Sequence, residues 1–201
     1  LKLKEIALFP TCLKQEERKE LYQLLKETNV ERIPFVHLRN DISPEELDYL
    51  IKNYQTAVFS THTKREHPFI YDYSKYKKVI YIENVYNSLD EDEIKKFAGV
   101  CVDFSHLEND RLLNPEKYKK DIKVIEECGS GCSHISAVKK ALVRNEENFL
   151  RYSAHFLEDF SELDYLKKYP ANYFVFPIAM ELENSLEEQL KAIQHLKLTL
   201  N

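Results

Sequence analysis

The chain has 201 residues and a formal charge of −5 at pH 7, and its three glycines are too few for a Gly-rich phosphate-binding loop. This length, with 43% hydrophobic residues, predicts a single domain over residues 1–201. The acidic balance provides no general field to attract nucleic acid. Four cysteines do not make a disulfide framework in a chain of this length, and no segment has the pattern of a signal peptide or membrane span. We therefore expect a cytoplasmic protein.

Apolar strands alternate with amphipathic helices along the chain. The predicted strands are Glu5–Phe9, Ile33–Leu38, Thr56–Ser60, Lys78–Ile82, Val100–Val102, Gly131–Ile135 and Tyr173–Met180. The predicted helices are Gln15–Lys26, Leu163–Lys168 and three that begin with capping sequences at Ser43, Ser88 and Ser185. This alternation is typical of parallel βαβ units, so we expect an α/β fold, a compact (β/α) TIM-type barrel. Seven strands are one fewer than a complete barrel has. Either one strand is hidden within Ala137–Phe160, or the barrel is incomplete.

Polar side chains follow the ends of most of these strands, as Asp103 and His106 follow Val100–Val102. The carboxyl ends of parallel strands meet at one end of the fold, where ligands and catalytic groups gather. Imidazole nitrogens and carboxylate oxygens are the usual ligands of zinc and manganese. The sequence therefore predicts a shared site for a divalent metal ion. Its candidate residues are His37, His62, Glu83, Asp103, His106, His134, His155 and Glu181.

Each candidate taken alone has an ordinary structural role, because a single strand-end histidine is more often a hydrogen-bonded core residue. The recurrence over several strands favours the shared site. His67 and His195 follow no strand, and we expect both on the surface. The run Cys128-Gly-Ser-Gly-Cys132-Ser-His134 is an alternative local zinc site. Its spacing differs from a zinc knuckle, so the glycines more readily predict a turn into the sixth strand.

Four short sequences resemble the xylose-isomerase-like TIM-barrel superfamily, which includes sugar isomerases and epimerases and the zinc-dependent apurinic endonucleases. They are Ile82-Glu83-Asn84, Gly99-Val-Cys-Val-Asp103-Phe-Ser-His106, Ser133-His134 and Pro177-Ile-Ala-Met-Glu181. The resemblance implies that Glu83, Asp103, His134 and Glu181 are metal ligands. In the isomerase and epimerase members, Glu83 and Glu181 would also be catalytic, moving the proton beside the carbonyl, while His106 binds or orients the substrate.

The endonuclease branch implies a larger metal centre of up to three ions. In this branch His37 and His62 would join Glu83 on one zinc ion, and His106 and His155 would hold another. Two departures from the superfamily concern the segment around His155. Ser153 stands where the endonucleases have an aspartate, and no glycine follows His155 where isomerase-like members have a Gly-x-Gly turn.

Three functions are compatible with this resemblance. The leading expectation is a divalent-metal-dependent isomerase or epimerase, using zinc or manganese, that acts on a small sugar or a related polyhydroxy-carbonyl compound. Arg39 is then either a substrate contact or a surface residue. The second is a zinc phosphoesterase of the apurinic endonuclease type, with DNA as its partner. The third is a non-catalytic barrel of the same ancestry. None of the three involves a membrane.

Overall fold

The computed structural model describes residues 2–145 and 148–199. Its strands are β1 (Glu5–Leu8), β2 (Arg32–His37), β3 (Val58–Thr61), β4 (Ile80–Glu83), β5 (Val100–Asp103), β6 (Ser130–Ile135), β7 (Ala137–Arg144), β8 (Leu150–Ala154) and β9 (Ile178–Met180). Its α-helices are α1 (Gln15–Lys26), α2 (Pro44–Tyr54), α3 (Glu91–Ile94), α4 (Phe104–Leu113), α5 (Pro115–Cys128) and α6 (Leu186–Thr199). Short 3-10 helices cover Ser74–Tyr76, Phe160–Lys168 and Ala171–Tyr173.

Seven parallel strands form one nearly closed, barrel-like sheet in the order β1-β2-β3-β4-β5-β6-β9. Strands β1 and β9 are its two edges, and helices connect and flank most of the strands. The predicted α/β architecture with parallel strands is therefore confirmed, and seven of the nine strands in the described ranges belong to this sheet. None of the helices in these ranges combines the length and apolar composition of a membrane-spanning segment.

The segment predicted to hide an eighth barrel strand forms an antiparallel hairpin instead. Strands β7 and β8 pair only with each other, in a separate two-stranded sheet. Barrel strands are covered on both faces and are therefore almost wholly apolar. Strand β7 carries Lys139, Lys140 and Arg144, and most of its later residues are exposed, so it is suited to a hairpin at the surface.

Three elements differ from the sequence prediction: two helical segments and one strand. Helix α3 begins at Glu91 because Asp90, rather than Ser88, accepts hydrogen bonds from the first turn. Leu163–Lys168 lies within a 3-10 helix, not an α-helix. The last barrel strand is limited to Ile178–Met180, because Pro177 has no N–H to donate to a neighbouring strand. Helices α4 and α5 were not predicted. The capping box at Ser43 is confirmed, with Glu46 accepting from the Ser43 N–H.

Gly99, just before β5, lies close to the backbone of Gly129, which precedes β6. Its φ is +140°, and a Cβ there would lie 2.9 Å from the carbonyl oxygen of Gly129. We expect Gly99→Ala to lower the free energy of unfolding by about 2–3 kcal/mol, because backbone strain and a backbone clash add together. Gly129→Ala is the matched control, since its φ is also positive but nothing lies within 4 Å. Gly129→Ala should lower the free energy of unfolding by about 1 kcal/mol. If urea denaturation showed the same loss of stability in Gly99→Ala and Gly129→Ala, the predicted clash with the Gly129 carbonyl would be wrong.

Candidate metal centre

The alternation of side chains along the barrel strands places the candidate ligands. The small interior cluster contains Phe35, Cys101, Cys132 and Ala179, with Tyr81 packed against it. Successive side chains of a strand point to opposite faces, so residues two positions further on face the interior again, nearer the carboxyl end of the strand. Those residues are His37, Glu83, Asp103, His134 and Glu181.

Four of these residues form what we call the carboxylate cluster: Glu83, Asp103, His134 and Glu181. Each offers one ligand atom, and all four atoms lie within 4.8 Å of one another. The His134 Nδ1 atom is 3.3 Å from both Glu83 Oε2 and Glu181 Oε2, and 3.8 Å from Asp103 Oδ2. Glu83, Asp103 and His134 are almost completely buried. The structure thus brings together the four residues that the resemblance assigns to one ion.

A second group, the histidine cluster, contains His37, His62 and Glu83, and its ligand atoms also lie within 4.8 Å of one another. His37 Nδ1 is 3.4 Å from Glu83 Oε2, the same oxygen that faces His134. The His37 and His62 rings are 5.0 Å apart between centroids. Glu83 therefore belongs to both clusters, and its carboxylate lies between a nitrogen-rich and an oxygen-rich set of donors.

Asp103 is oriented by the start of helix α4, for which it is the N-cap. Its Oδ1 accepts from the Ser105 hydroxyl at 2.7 Å and from the His106 N–H at 2.8 Å. The side chain of Asn84 exchanges two 2.9 Å hydrogen bonds with the Asp103 backbone. These bonds fix one carboxylate oxygen and leave Oδ2 directed at the carboxylate cluster. The sequence Asp103-Phe-Ser-His106 thus caps helix α4 and also orients Asp103 Oδ2 towards the carboxylate cluster.

The donor atoms of both clusters fit a cation. Buried polar atoms nearly always have a hydrogen-bond partner. Yet Glu83 Oε2, Asp103 Oδ2, His134 Nδ1, Glu181 Oε2 and His62 Nδ1 have none in the part of the chain that the structure describes. No described lysine or arginine forms an ion pair with the three carboxylates, which face only histidines. A divalent ion would supply both the missing partner and the missing positive charge.

Burial shifts the pKa values of several side chains in the two clusters. Burial raises the pKa of Glu83 to about 8 and also raises the pKa of Asp103. Burial lowers the pKa of His37 well below its ordinary value and that of His62 to about 4. The two imidazoles are therefore neutral, which is the form that binds metal. The Glu83 carboxyl therefore holds a proton at pH 7 that an incoming ion has to displace. Glu181 differs, because its contact with His134 outweighs burial and lowers the pKa of Glu181, while the neighbouring acidic groups raise the pKa of His134.

Two of the predicted ligands, His106 and His155, belong to neither cluster within the described residues. His106 Nε2 is 4.0 Å from Asp103 Oδ2, but its Nδ1 lies 2.6 Å from an amino group of Arg151. His155 follows the hairpin strand β8 rather than a barrel strand, and its ring centroid is 6.4 Å from that of His106. Both therefore lie beside the carboxylate cluster.

His67 is close to the site although the sequence places it on the surface. Its ring centroid is 5.1 Å from that of His62, and His67 is exposed at a cavity of about 300 Å³. No strand periodicity extends into this loop, so only its position five residues after His62 hinted at the proximity. No carboxylate lines the cavity. The lining residues are Thr11, His37, Leu38, Arg39, Asn40, Thr61, His62 and His67.

The remaining sequence alternatives concern Cys128, His195 and Arg39. Cys132 is buried in the barrel interior, whereas Cys128 is half-buried at the end of α5, and no described donor cluster joins the two. His195 stacks on Phe160, with 5.1 Å between ring centroids, away from both clusters. Arg39 is partly exposed, lines the cavity and forms a 3.0 Å ion pair with Asp41.

Two buried donor clusters share one carboxylate, and a cavity without acidic residues adjoins the histidine cluster. Comparison of the chain with protein-family models and with curated protein sequences gives no match.

Proposed function

We propose that the protein is a member of the xylose-isomerase-like superfamily and acts as a phosphoesterase that uses two divalent metal ions. The observation that carries this proposal is the position of Glu83, whose Oε2 atom faces both His37 and His134. A carboxylate shared by two donor sets is suited to a pair of neighbouring ions. Paired ions are typical of enzymes that displace an oxygen at phosphorus.

The two clusters divide the ligands between them. His37, His62 and Glu83 would hold one ion, and Glu83, Asp103, His134 and Glu181 the other. Bound there, the ions would supply Lewis-acid polarisation of a phosphoryl oxygen and a lowered pKa for water. Ser60 orients His134, because its hydroxyl oxygen lies 3.2 Å from His134 Nε2 while Nδ1 of the same ring faces the carboxylates. The same hydroxyl also lies 2.7 Å from His37 Nδ1, the nitrogen that faces Glu83. Such outer contacts set the ring orientation that ligation needs.

The cavity beside the histidine cluster also favours an anionic substrate. Its volume of about 300 Å³ is at the lower end of the usual range for ligand pockets. Its lining offers imidazoles, hydroxyl groups, an amide and the Arg39 guanidinium, which also pairs with Asp41, and none of its lining residues is acidic. The acidic residues of the site lie in the interior instead, where they would hold the ions.

A sugar isomerase or epimerase remains the second candidate, because Glu83 and Glu181 flank the same imidazole at 3.3 Å each. Two carboxylates facing each other across one ion are suited to moving a proton next to a carbonyl group. This candidate needs only the carboxylate cluster. It therefore predicts one ion per chain, no role for His37 or His62 as ligands, and turnover of aldoses or ketoses.

The experiment that tests the proposal is hydrolysis of bis(p-nitrophenyl) phosphate by protein stripped with EDTA and reloaded with zinc, manganese or magnesium. We expect activity only after reloading and a loss of at least about a hundredfold in Glu83→Gln, because a shared ligand is altered. His195→Ala is the control and should retain activity. Protein that holds two ions, hydrolyses no phosphoester and isomerises sugars would overturn the proposal.

A further inference from the structure

Three lysine or arginine side chains in the described part of the chain are more than nine-tenths buried: Arg18, Lys117 and Arg151. Arg18 is paired with Asp41 and Glu46, and Lys117 with Asp110 and Asp121. Arg151 differs, because it forms no ion pair with any described carboxylate. A buried charge without a counter-charge is costly. Its place in the fold therefore requires an explanation other than packing.

The two side chains that contact the Arg151 guanidinium, those of His106 and Tyr86, are neutral. The nitrogen Nη2 lies 2.6 Å from His106 Nδ1, and the guanidinium carbon is 4.7 Å from the centre of the Tyr86 ring. Arginine can only donate, so His106 Nδ1 accepts and the ring carries its proton on Nε2. The Arg151 Nε atom is buried and has no acceptor within the described ranges. Asp110 also interacts electrostatically with Arg151, but its carboxylate contacts Lys117 and forms no ion pair with Arg151.

Arg151 also lies next to the candidate metal centre. His106 contacts Arg151 through Nδ1, and its Nε2 is 4.0 Å from Asp103 Oδ2 of the carboxylate cluster. On the solvent side, the ring that covers the guanidinium is that of Tyr86, which is 41% exposed. One aromatic side chain therefore separates an unpaired buried cation from solvent, and one imidazole separates it from the metal ligands.

We propose that Arg151 binds a phosphate group of the substrate on the carboxylate-cluster side of the two-ion centre, with His106 holding the guanidinium in place; Arg151 does not line the cavity beside the histidine cluster. A phosphate supplies the counter-charge that the described residues do not give Arg151, and its oxygens can accept hydrogen bonds from the remaining N–H groups of the planar guanidinium. This inference rests on the proposed function for the identity of the substrate. The unpaired charge itself does not depend on it.

The test is titration calorimetry with inorganic phosphate, on zinc-loaded protein freed of excess metal and on EDTA-treated protein. We expect Arg151→Gln to weaken phosphate binding by about tenfold to a hundredfold, because one charge-assisted contact is lost. The phosphate affinity of Arg151→Lys should lie between those of the wild type and Arg151→Gln, since an ammonium group keeps the charge but not the planar set of N–H donors. Arg144→Gln, on the same hairpin, is the control and should bind phosphate like the wild type. Bound zinc should be unchanged in all three variants.

Thermal unfolding separates a binding role from a structural one. Arg151→Met should unfold at the wild-type temperature or above, because it removes an uncompensated buried charge. A lowered unfolding temperature in Arg151→Met, together with unchanged phosphate binding in Arg151→Gln, would overturn the inference. Wild-type protein that binds no phosphate in either form would overturn it as well.

The two proposals can fail separately. If the protein takes up no metal, the two-ion phosphoesterase is wrong, and the titration of EDTA-treated protein still shows whether phosphate binding depends on Arg151. If two ions bind and phosphate affinity is the same in Arg151→Gln as in the wild type, the metal centre stands and the role of Arg151 is wrong.

Discussion

Replacement of Glu83 by alanine is expected to remove both ions from the protein, whereas His37→Ala and Asp103→Ala should each remove one. Glu83 is shared by the histidine and carboxylate clusters, while His37 and Asp103 each belong to a single cluster. Elemental analysis of protein purified without chelators should therefore find about two ions per chain in the wild type, about one in each single-cluster variant and almost none in Glu83→Ala.

The folded state of these variants has to be checked in the same experiment. Glu83 is protonated at pH 7 in the metal-free protein, so its replacement removes no buried charge, and Glu83→Ala should keep the wild-type circular dichroism spectrum after EDTA treatment. His195→Ala, outside both clusters, should keep both ions. A single ion that survives in His37→Ala and His62→Ala but is lost in Asp103→Ala would point to the one-ion isomerase instead.

Replacement of Arg18 by methionine is expected to lower the free energy of unfolding at pH 7 by about 3–5 kcal/mol. The Arg18 side chain is fully buried and donates to Glu46 at 2.8 and 3.1 Å and to Asp41 at 3.0 Å. Its loss leaves the poorly solvated Glu46 carboxylate without its cation, leaves Asp41 with its partner Arg39, and loosens α1 from α2. Lys19→Met, whose ion pair with Glu16 is exposed, should change stability by less than about 0.5 kcal/mol. Urea denaturation of both variants measures the contrast.

The effect of Arg18→Met should shrink as the pH falls. Burial opposes ionisation of Glu46, but bonds from Arg18 and the Ser43 N–H outweigh it and hold the pKa of Glu46 below 4.5. In the wild type this group therefore contributes stability above about pH 4.5, which is lost as the pH falls through the lower folded-state pKa. Without Arg18, burial dominates and favours protonated Glu46. The difference in the free energy of unfolding between the wild type and Arg18→Met should therefore become smaller from pH 7 to pH 4. A difference that stays constant over this range would contradict the role given to Glu46.

Much of the candidate site was predictable because it depends on two local regularities. Residues two apart on a strand face the same side, and carboxyl ends of parallel strands meet at one end of the fold. These rules suffice to bring His37, Glu83, Asp103 and His134 together. The parallel sheet was predictable for a similar reason, since buried parallel strands are marked by short apolar runs between helices.

The remaining features depend on contacts that no local pattern encodes. The pairing of Arg151 with His106 joins residues 45 positions apart, through a hairpin that packs beside helix α4. His67 reaches the site through an irregular loop. The hairpin itself was mistaken for a possible barrel strand, because a surface strand and a barrel strand share the same period and differ only in which faces are covered. Helix α4 was missed because nearly all of it is buried, which weakens its amphipathic pattern.

Cys101 lies directly opposite Cys132 on the neighbouring strand, beneath the carboxylate cluster, and both thiols are completely buried. Cys101 also forms a donor set of its own with Glu83 and His134. Burial raises the pKa of its thiol well above the ordinary value, so it stays protonated and offers little to zinc, manganese or magnesium. Thiophilic ions such as Cu⁺ and Cd²⁺ bind sulfur strongly enough to displace that proton. A thiophilic ion bound there would take Glu83 and His134 as ligands, so it would compete with the two proposed ions for the same side chains.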